Sequence, residues 1–263
     1  MFAKLLKHEW LASRRTLNAL NIATLAAGIM GAVVLRILVN EETVNAYASD
    51  NSWAFVVLII GMMFVFFGLI GCVMGSEIYV VTQFYKSKFT DEGYLTFTLP
   101  ATSRQIFLAS FAHIALRTMI TIVVMSVAIL IMFFGGLWGT GEFAQEFQYG
   151  MPSFPKLADA EIINLLLSLL SSILSFVASI VVIMTCVTVG AVLAKKHKLM
   201  AAIGIYYLYS MAYSVVSTMV MVSSITDSDL RILLLLEIGL QGAAAVIGFF
   251  LSTYLMDKKL NLP

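Results

Sequence analysis

Long apolar runs alternate with short polar breaks along the chain, and the alternation repeats six times. A helix crosses the hydrocarbon of a bilayer with about 20 mostly apolar residues. The runs fall at about residues 17–39, 53–81, 106–137, 162–193, 199–222 and 232–255. The stretch ahead of the first run has a different pattern. Within residues 1–11, Phe2, Leu5, Leu6 and Trp10 recur near helical spacing while Lys4, Lys7 and His8 take the other face. That pattern suits an amphipathic helix lying in the membrane interface. The expected fold is an all-α integral membrane protein, with an N-terminal amphipathic interfacial helix over residues 1–16 followed by six transmembrane helices. The whole of residues 1–263 reads as a single transmembrane domain.

The breaks carry their own information. Gly135-Gly136-Leu137-Trp138 closes the third run with an indole suited to the headgroup region. Residues 139–161 contain Pro152 and Pro155 among several aromatics, which forbids a regular span and predicts an ordered loop or a short surface helix. Ser223-Ser224-Ile225-Thr226-Asp227-Ser228-Asp229 reads as the turn between the last two runs.

Composition adds the solvent. The 263 residues are 60% hydrophobic and 12% charged, against roughly 25% charged in a soluble domain, so lipid is the main medium. The net charge of +1 gives no reason to expect nucleic-acid binding. Lys4, Lys7, Arg14 and Arg15 precede a hydrophobic stretch longer than the 7–15 residues of a signal core, so that stretch is read as a retained first span. Cys72 and Cys186 both lie in apolar runs without metal-ligand spacing and read as small buried hydrophobes.

Basic residues set the orientation, because the positive-inside bias counts Lys and Arg loop by loop. One side collects Lys4, Lys7, Arg14, Arg15, Lys86, Lys88, Arg104, Lys195, Lys196, Lys198, Lys258 and Lys259; the other has Lys156, Arg231 and Arg36. The first side is expected in the cytosol, with both termini there. The opposite loops are acidic, with Glu41, Glu42, Asp50, Glu142, Glu146, Asp159, Glu161, Asp227 and Asp229.

The connection between the second and third runs, Phe84-Tyr85-Lys86-Ser87-Lys88-Phe89-Thr90-Asp91-Glu92-Gly93-Tyr94-Leu95-Thr96-Phe97-Thr98-Leu99-Pro100, is more aromatic than a solvated loop should be. Thr90 is placed to cap a short helix with Asp91 and Glu92 in its first turn. Gly93 permits a tight bend, and Pro100 followed by Ser103 can start the next helix. The segment reads as a shaped docking element.

With these residues in view, the chain resembles the permease subunits of type-2 ATP-binding-cassette exporters, particularly small bacterial ones that export peptides or antimicrobials. The resemblance rests on Leu5-Leu6-Lys7-His8-Glu9-Trp10 with Arg15, on Phe84-Tyr85 followed by Asp91-Glu92-Gly93-Tyr94-Leu95-Thr96-Phe97-Thr98-Leu99-Pro100, on Gly190 with Lys195-Lys196-His197-Lys198, and on Lys259-Leu260-Asn261-Leu262. The permeases often carry a lysine shortly after the Leu-Pro segment, where this chain has Ser110-Phe111. The loop at residues 223–230 is shorter than the re-entrant hairpin of larger relatives.

The resemblance implies a subunit of the bacterial cytoplasmic membrane that pairs with a second permease copy or a sister subunit. It would move an amphipathic or hydrophobic substrate, a peptide among the options, and dock cytosolic ATPase subunits through coupling elements. Those elements would be Phe89, Thr90, Asp91, Glu92, Gly93, Tyr94 and Leu95 in one segment and Lys195, Lys196 and His197 in the other. ATP and its magnesium would be bound by the partner. No Gly-x-x-x-x-Gly-Lys-Ser/Thr phosphate loop occurs in the chain, so it is not expected to be an enzyme by itself or to hold a cofactor or metal.

Charges inside the runs are the remaining candidates, since an ionised group at membrane depth costs a few kcal/mol or more unless paired or hydrated. Glu77 and Arg117 fall in the same half of the membrane and are read first as a salt bridge, then as part of a transport route, then as snorkelling side chains. Arg36 and Glu237 take the same reading in the opposite half. His113 reads as a hydrogen-bonded packing residue rather than a metal ligand. Gly71 with Gly75, Gly239 with Ala243 and Ala244 with Gly248 are small-residue pairs that predict close helix contact. No His-Glu-x-x-His or Gly-x-Ser-x-Gly pattern points to an intramembrane enzyme. The competing class is a stand-alone secondary transporter or membrane interaction protein, in which Glu77, Arg117 and Glu237 serve ion coupling or packing.

Overall fold

The structure is a computed structural model that describes residues 2–39, 52–90, 93, 102–137, 159–194, 197–225 and 230–258. Backbone groups in hydrocarbon must be satisfied within their own segment, which leaves the helix as the solution for these sequences. Among the described residues six long helices form: α1 Phe2–Val39, α2 Ser52–Phe89, α3 Ser103–Leu137, α4 Asp159–Leu193, α5 Lys198–Ile225 and α6 Leu230–Lys258. Each contains a window long and apolar enough to cross a membrane, and no strand occurs among the described residues. The protein is a multi-pass, all-helical membrane protein. The sequence segments at 91–92, 94–101, 139–158, 195–196 and 226–229 lie outside the described residues.

Several helices outrun the apolar runs that predict them. α1 is continuous from Phe2, so the amphipathic stretch and the first span are one helix with no break near residue 16. At 1.5 Å per residue its 38 residues extend about 57 Å, against a hydrocarbon core of about 30 Å. α2 likewise continues past residue 81 to Phe89, and α3 opens at Ser103, the start that the Pro100–Ser103 stretch offers, ahead of the apolar run near 106. Thr102 supplies the N-cap: its side chain accepts from the Gln105 N–H at 3.4 Å and its carbonyl from the Ile106 N–H at 3.0 Å.

Hydroxyls inside the helices bond back to their own backbone. Thr24 donates to the Leu20 carbonyl, Ser76 to Cys72, Thr121 to Arg117 and Thr188 to Met184 at 2.8–3.1 Å. In lipid no water competes for these groups, so the internal bond lets a polar residue sit in a span.

The chain divides into two compact units, one of Met1–Trp10, Val81–Ala115 and Lys156–Pro263, the other of Leu11–Val80 and Leu116–Pro155. In the second unit Val65, Leu69 and Ala128 are buried with Leu25, Ala27, Met125 and Met132 against them. A Cβ on Gly28 would lie 2.7 Å from the Ala128 carbonyl oxygen, so α1 and α3 approach backbone to backbone there. The pairs read from sequence fare differently. Gly71 and Gly239 have nothing within 4 Å of an added Cβ and Gly75 only Leu20 at 3.9 Å, whereas Gly248 meets Thr185 at 2.9 Å.

In the first unit α4 is the central helix, burying Ile180, Val181, Met184 and Val187, and α5 and α6 both pack along it. α5 and α6 meet each other at few points, which leaves a cleft between them floored by α4. The outward faces carry large apolar side chains such as Phe64, Ile173, Leu208 and Ile247, the surface that lipid covers.

Candidate functional site

The first unit contains a buried polar cluster built from three helices. Glu9 is the lone acid of α1, and its helical stripe continues through Ser13 and Leu17, all buried. Lys88 lies at the end of α2, one residue before the helix closes at Phe89, and places its Nζ 2.8 Å from Glu9 Oε1. The Lys88 side chain is 3% exposed and that of Glu9 10%. α3 supplies two further groups one turn apart on its buried face. Ser110 Oγ donates to Glu9 Oε1 at 2.8 Å, and His113 Nδ1 stands 3.9 Å from Glu9 Oε2. Gln83 Nε2 donates to the Glu9 backbone carbonyl at 3.4 Å, and Trp10 meets the His113 ring edge-on at 6.4 Å.

The geometry has an electrostatic logic. Stripping water from an ammonium and a carboxylate costs several kcal/mol per ion, and the pair is stable only when the remaining hydrogen-bonding capacity is filled. Ser110 and Lys88 both bond Oε1 of Glu9, while Oε2 faces the His113 Nδ1 at 3.9 Å. The cation at Glu9 comes from Lys88. A cavity of about 10 Å³ beside Gln83, Glu9 and His113 is the size of one water. In the sequence Glu9 reads as part of the amphipathic start and Lys88 as one of the basic residues that set the orientation. The available signal was that Glu9 is the single acid in a basic segment, while Ser110, His113 and Arg117 share one stripe of α3 with buried Ile106, Phe107 and Ile114.

Next to the cluster lies the described part of the expected docking segment. Phe89 is 2% exposed, edge-on to Phe84 at 5.8 Å and stacked with Tyr85 at 6.2 Å. It is a core residue, not a docking surface. Thr90 turns its hydroxyl back to the Lys86 carbonyl, finishing α2, where the sequence places it as the cap of a following helix. Its own carbonyl accepts from the Gly93 N–H at 2.7 Å, and a Cβ on Gly93 would run into the Lys88 carbonyl. Asp91, Glu92, Tyr94 and Leu95 lie outside the described residues, as do Lys195 and Lys196 of the second segment.

That second segment is nonetheless tied to the first. Lys198 Nζ donates to the Phe89 carbonyl at 3.5 Å, and His197 is exposed while its carbonyl accepts from the Ala201 N–H at 3.0 Å. Gly190 lets α4 lie against α5, since a Cβ there would meet the Ala202 amide nitrogen at 2.5 Å. α6 joins from its other end, with the Ser103 hydroxyl donating to Asp257 and the Phe107 ring edge-on to Phe249 at 5.5 Å. Between the two stretches, the contact among the described residues is that of Lys198 with the Phe89 carbonyl.

The intramembrane charges do not group in that way. Glu77 Oε2 accepts from Thr118 Oγ1 at 3.2 Å, while Arg117 Nη1 donates to Asn18 Oδ1 at 3.3 Å. The salt bridge expected between Glu77 and Arg117 is thus replaced, in these contacts, by separate neutral partners on adjacent helices. Arg36 is exposed in the last turn of α1, where a cation suits the carbonyl-rich helix end. Glu237 accepts from Gln241 Nε2 at 3.1 Å within α6. His113 packs as expected, and no group of three or more His, Cys, Asp or Glu able to hold a metal occurs among the described residues.

Compared with protein-family models, with curated proteins and with solved structures, the chain matches none.

Proposed function

We propose that this chain is the transmembrane permease subunit of an ATP-binding-cassette exporter in a bacterial cytoplasmic membrane. It would form the path for an amphipathic or hydrophobic substrate, a peptide being one such cargo, and work as a dimer with itself or a sister subunit. ATP and magnesium belong to separate cytosolic ATPase subunits.

One observation carries the reading. The helix ends that flank the segment the resemblance assigns to ATPase docking are tied to several helices: Lys88 to Glu9 of α1, the Phe89 carbonyl to Lys198 of α5, and Ser103 and Phe107 at the start of α3 to Asp257 and Phe249 of α6. A loop that only connected two spans would need no such anchoring. A push delivered there reaches α1, α3, α5 and α6 as rigid elements, which is how closure of a partner would change the packing of the spans. The competing reading, a stand-alone secondary transporter, is favoured by the Glu237–Gln241 pair inside α6.

Co-purification separates the two. The exposed His197 together with Tyr94 and Leu95 is the set to change to alanine, because Phe89→Ala would damage the core instead. The expected result is a cytosolic ATPase that stays with the wild-type chain and is lost from the triple variant, with thermal stability unchanged. Retention of the ATPase by the variant overturns the docking assignment, and proton-driven transport by the purified chain in ATP-free vesicles establishes the competitor.

A further inference from the structure

Asn18 of α1 is oriented by its partner. Its Oδ1 accepts from Arg117 Nη1 at 3.3 Å, and a flipped amide would set N–H against N–H, so its two amide donors turn to other acceptors. Asn18 is exposed, whereas Arg117 behind it is 3% exposed. Arg14 and Arg15 precede Asn18 by one turn and are exposed as well. Positions three and four apart are neighbours on a helix surface, so two guanidiniums and one amide make a patch of donors alone.

The patch asks for an anion. Arg14 is within electrostatic reach of Arg117, and the two like charges repel. Two acids that could answer them are engaged elsewhere: Glu9, the lone acid of α1, bonds Lys88 and Ser110, and Glu77 of α2 accepts from Thr118.

Depth decides which anion. Arg14 and Arg36 are 22 residues apart in one uninterrupted helix, about 33 Å, and residues 16–35 between them carry no charged side chain. The hydrocarbon core is about 30 Å thick, so these exposed arginines mark its two edges, where long cationic side chains reach for headgroups. Arg14 and Arg15 then lie at the level of lipid phosphates, with Asn18 one turn deeper. On the same face beyond Asn18, Ile22 is 67% and Ile29 55% exposed, a track along which an acyl chain fits. A phospholipid brings its phosphate to this place with its chains already in hydrocarbon.

We infer that Arg14, Arg15 and Asn18 form a binding site for the phosphate of an anionic phospholipid, with Arg117 holding the Asn18 amide in its donating orientation. The site does not depend on ATP-driven export. The full-length chain in dodecyl maltoside is titrated with dioctanoyl phosphatidylglycerol, and bound lipids are counted by native mass spectrometry. One lipid is expected to bind at least about fivefold more tightly than dioctanoyl phosphatidylcholine, whose choline offsets the phosphate charge. Arg14→Gln and Arg15→Gln are each expected to weaken it at least about fivefold, and Lys4→Gln, which removes an exposed charge elsewhere on α1, by less than about twofold. Asn18→Asp keeps an oxygen for Arg117 but exchanges the donors for an acceptor, so a loss of at least about tenfold is expected. The two arginines are exposed, so their variants keep the fold and carry the test even where Asn18→Asp loses stability. Equal affinity for the two lipids, equal weakening by Lys4→Gln and Arg14→Gln, or full-strength binding by a folded Asn18→Asp overturns the inference and leaves diffuse attraction to a basic helix. Inorganic phosphate displacing the lipid at equal concentration also overturns it and makes the patch a site for a free anion.

Discussion

Lys88 is a charge that sequence alone would leave in water and that the fold places 3% exposed against Glu9. Removing one partner of a buried ion pair strands the other, so Glu9→Ala is expected to lower stability by about 3–5 kcal/mol. Replacing both, Glu9→Leu with Lys88→Met, is expected to recover most of that loss, because the matched apolar pair has no desolvation penalty. Thermal unfolding in detergent of the wild type, Glu9→Leu, Lys88→Met and the double variant gives the coupling, and additive losses would rule out the pair as a single unit. Phe89 belongs to the same lesson. A phenylalanine on a loop edge invites a docking role, yet its burial between Phe84 and Tyr85 makes Phe89→Ala a cavity mutation of about 3–5 kcal/mol. Melting that stays within a degree of wild type would contradict this.

Helix by helix, glycine spacing was a poor guide to contact, and the reason is rotational. A small-x-x-x-small pair makes a flat patch, but only neighbouring helices determine whether that patch faces protein or lipid. Gly71 faces open space and Gly28 faces the Ala128 backbone, although both sit in apolar runs. Gly71→Ala is accordingly expected to be neutral or to raise stability by about 0.5–1 kcal/mol through helix propensity. Gly28→Leu is expected to cost about 1–3 kcal/mol or more by forcing α1 and α3 apart. Thermal midpoints in the same detergent test both, and equal effects at the two positions would remove the distinction. Helix ends show the same dependence on context. α2 passes its apolar run by two turns because Lys88 and Phe89 find buried partners, which hydropathy does not register.

For the whole molecule, the asymmetry of Lys and Arg still sets the expected orientation. It is testable in a background with Cys72 and Cys186 changed to alanine. Leu230→Cys at the exposed start of α6 should react with a membrane-impermeant maleimide in intact cells, and Phe2→Cys at the exposed start of α1 only after permeabilisation. The reverse pattern would invert the topology and with it the docking proposal. The hydropathy of the chain was enough to specify six helices, since each apolar run exceeds the length of a span and lipid leaves its backbone no other way to satisfy itself.

Side-chain partnership was not legible in the same way. Glu9 with Lys88, the Phe89 carbonyl with Lys198, and Asn18 with Arg117 join positions far apart in the chain, or depend on which face of a helix turns inward. Hydrophobicity is a property of each segment and can be summed along the sequence. Hydrogen bonds and ion pairs need atoms brought within about 3 Å, and that proximity arises only when the helices pack.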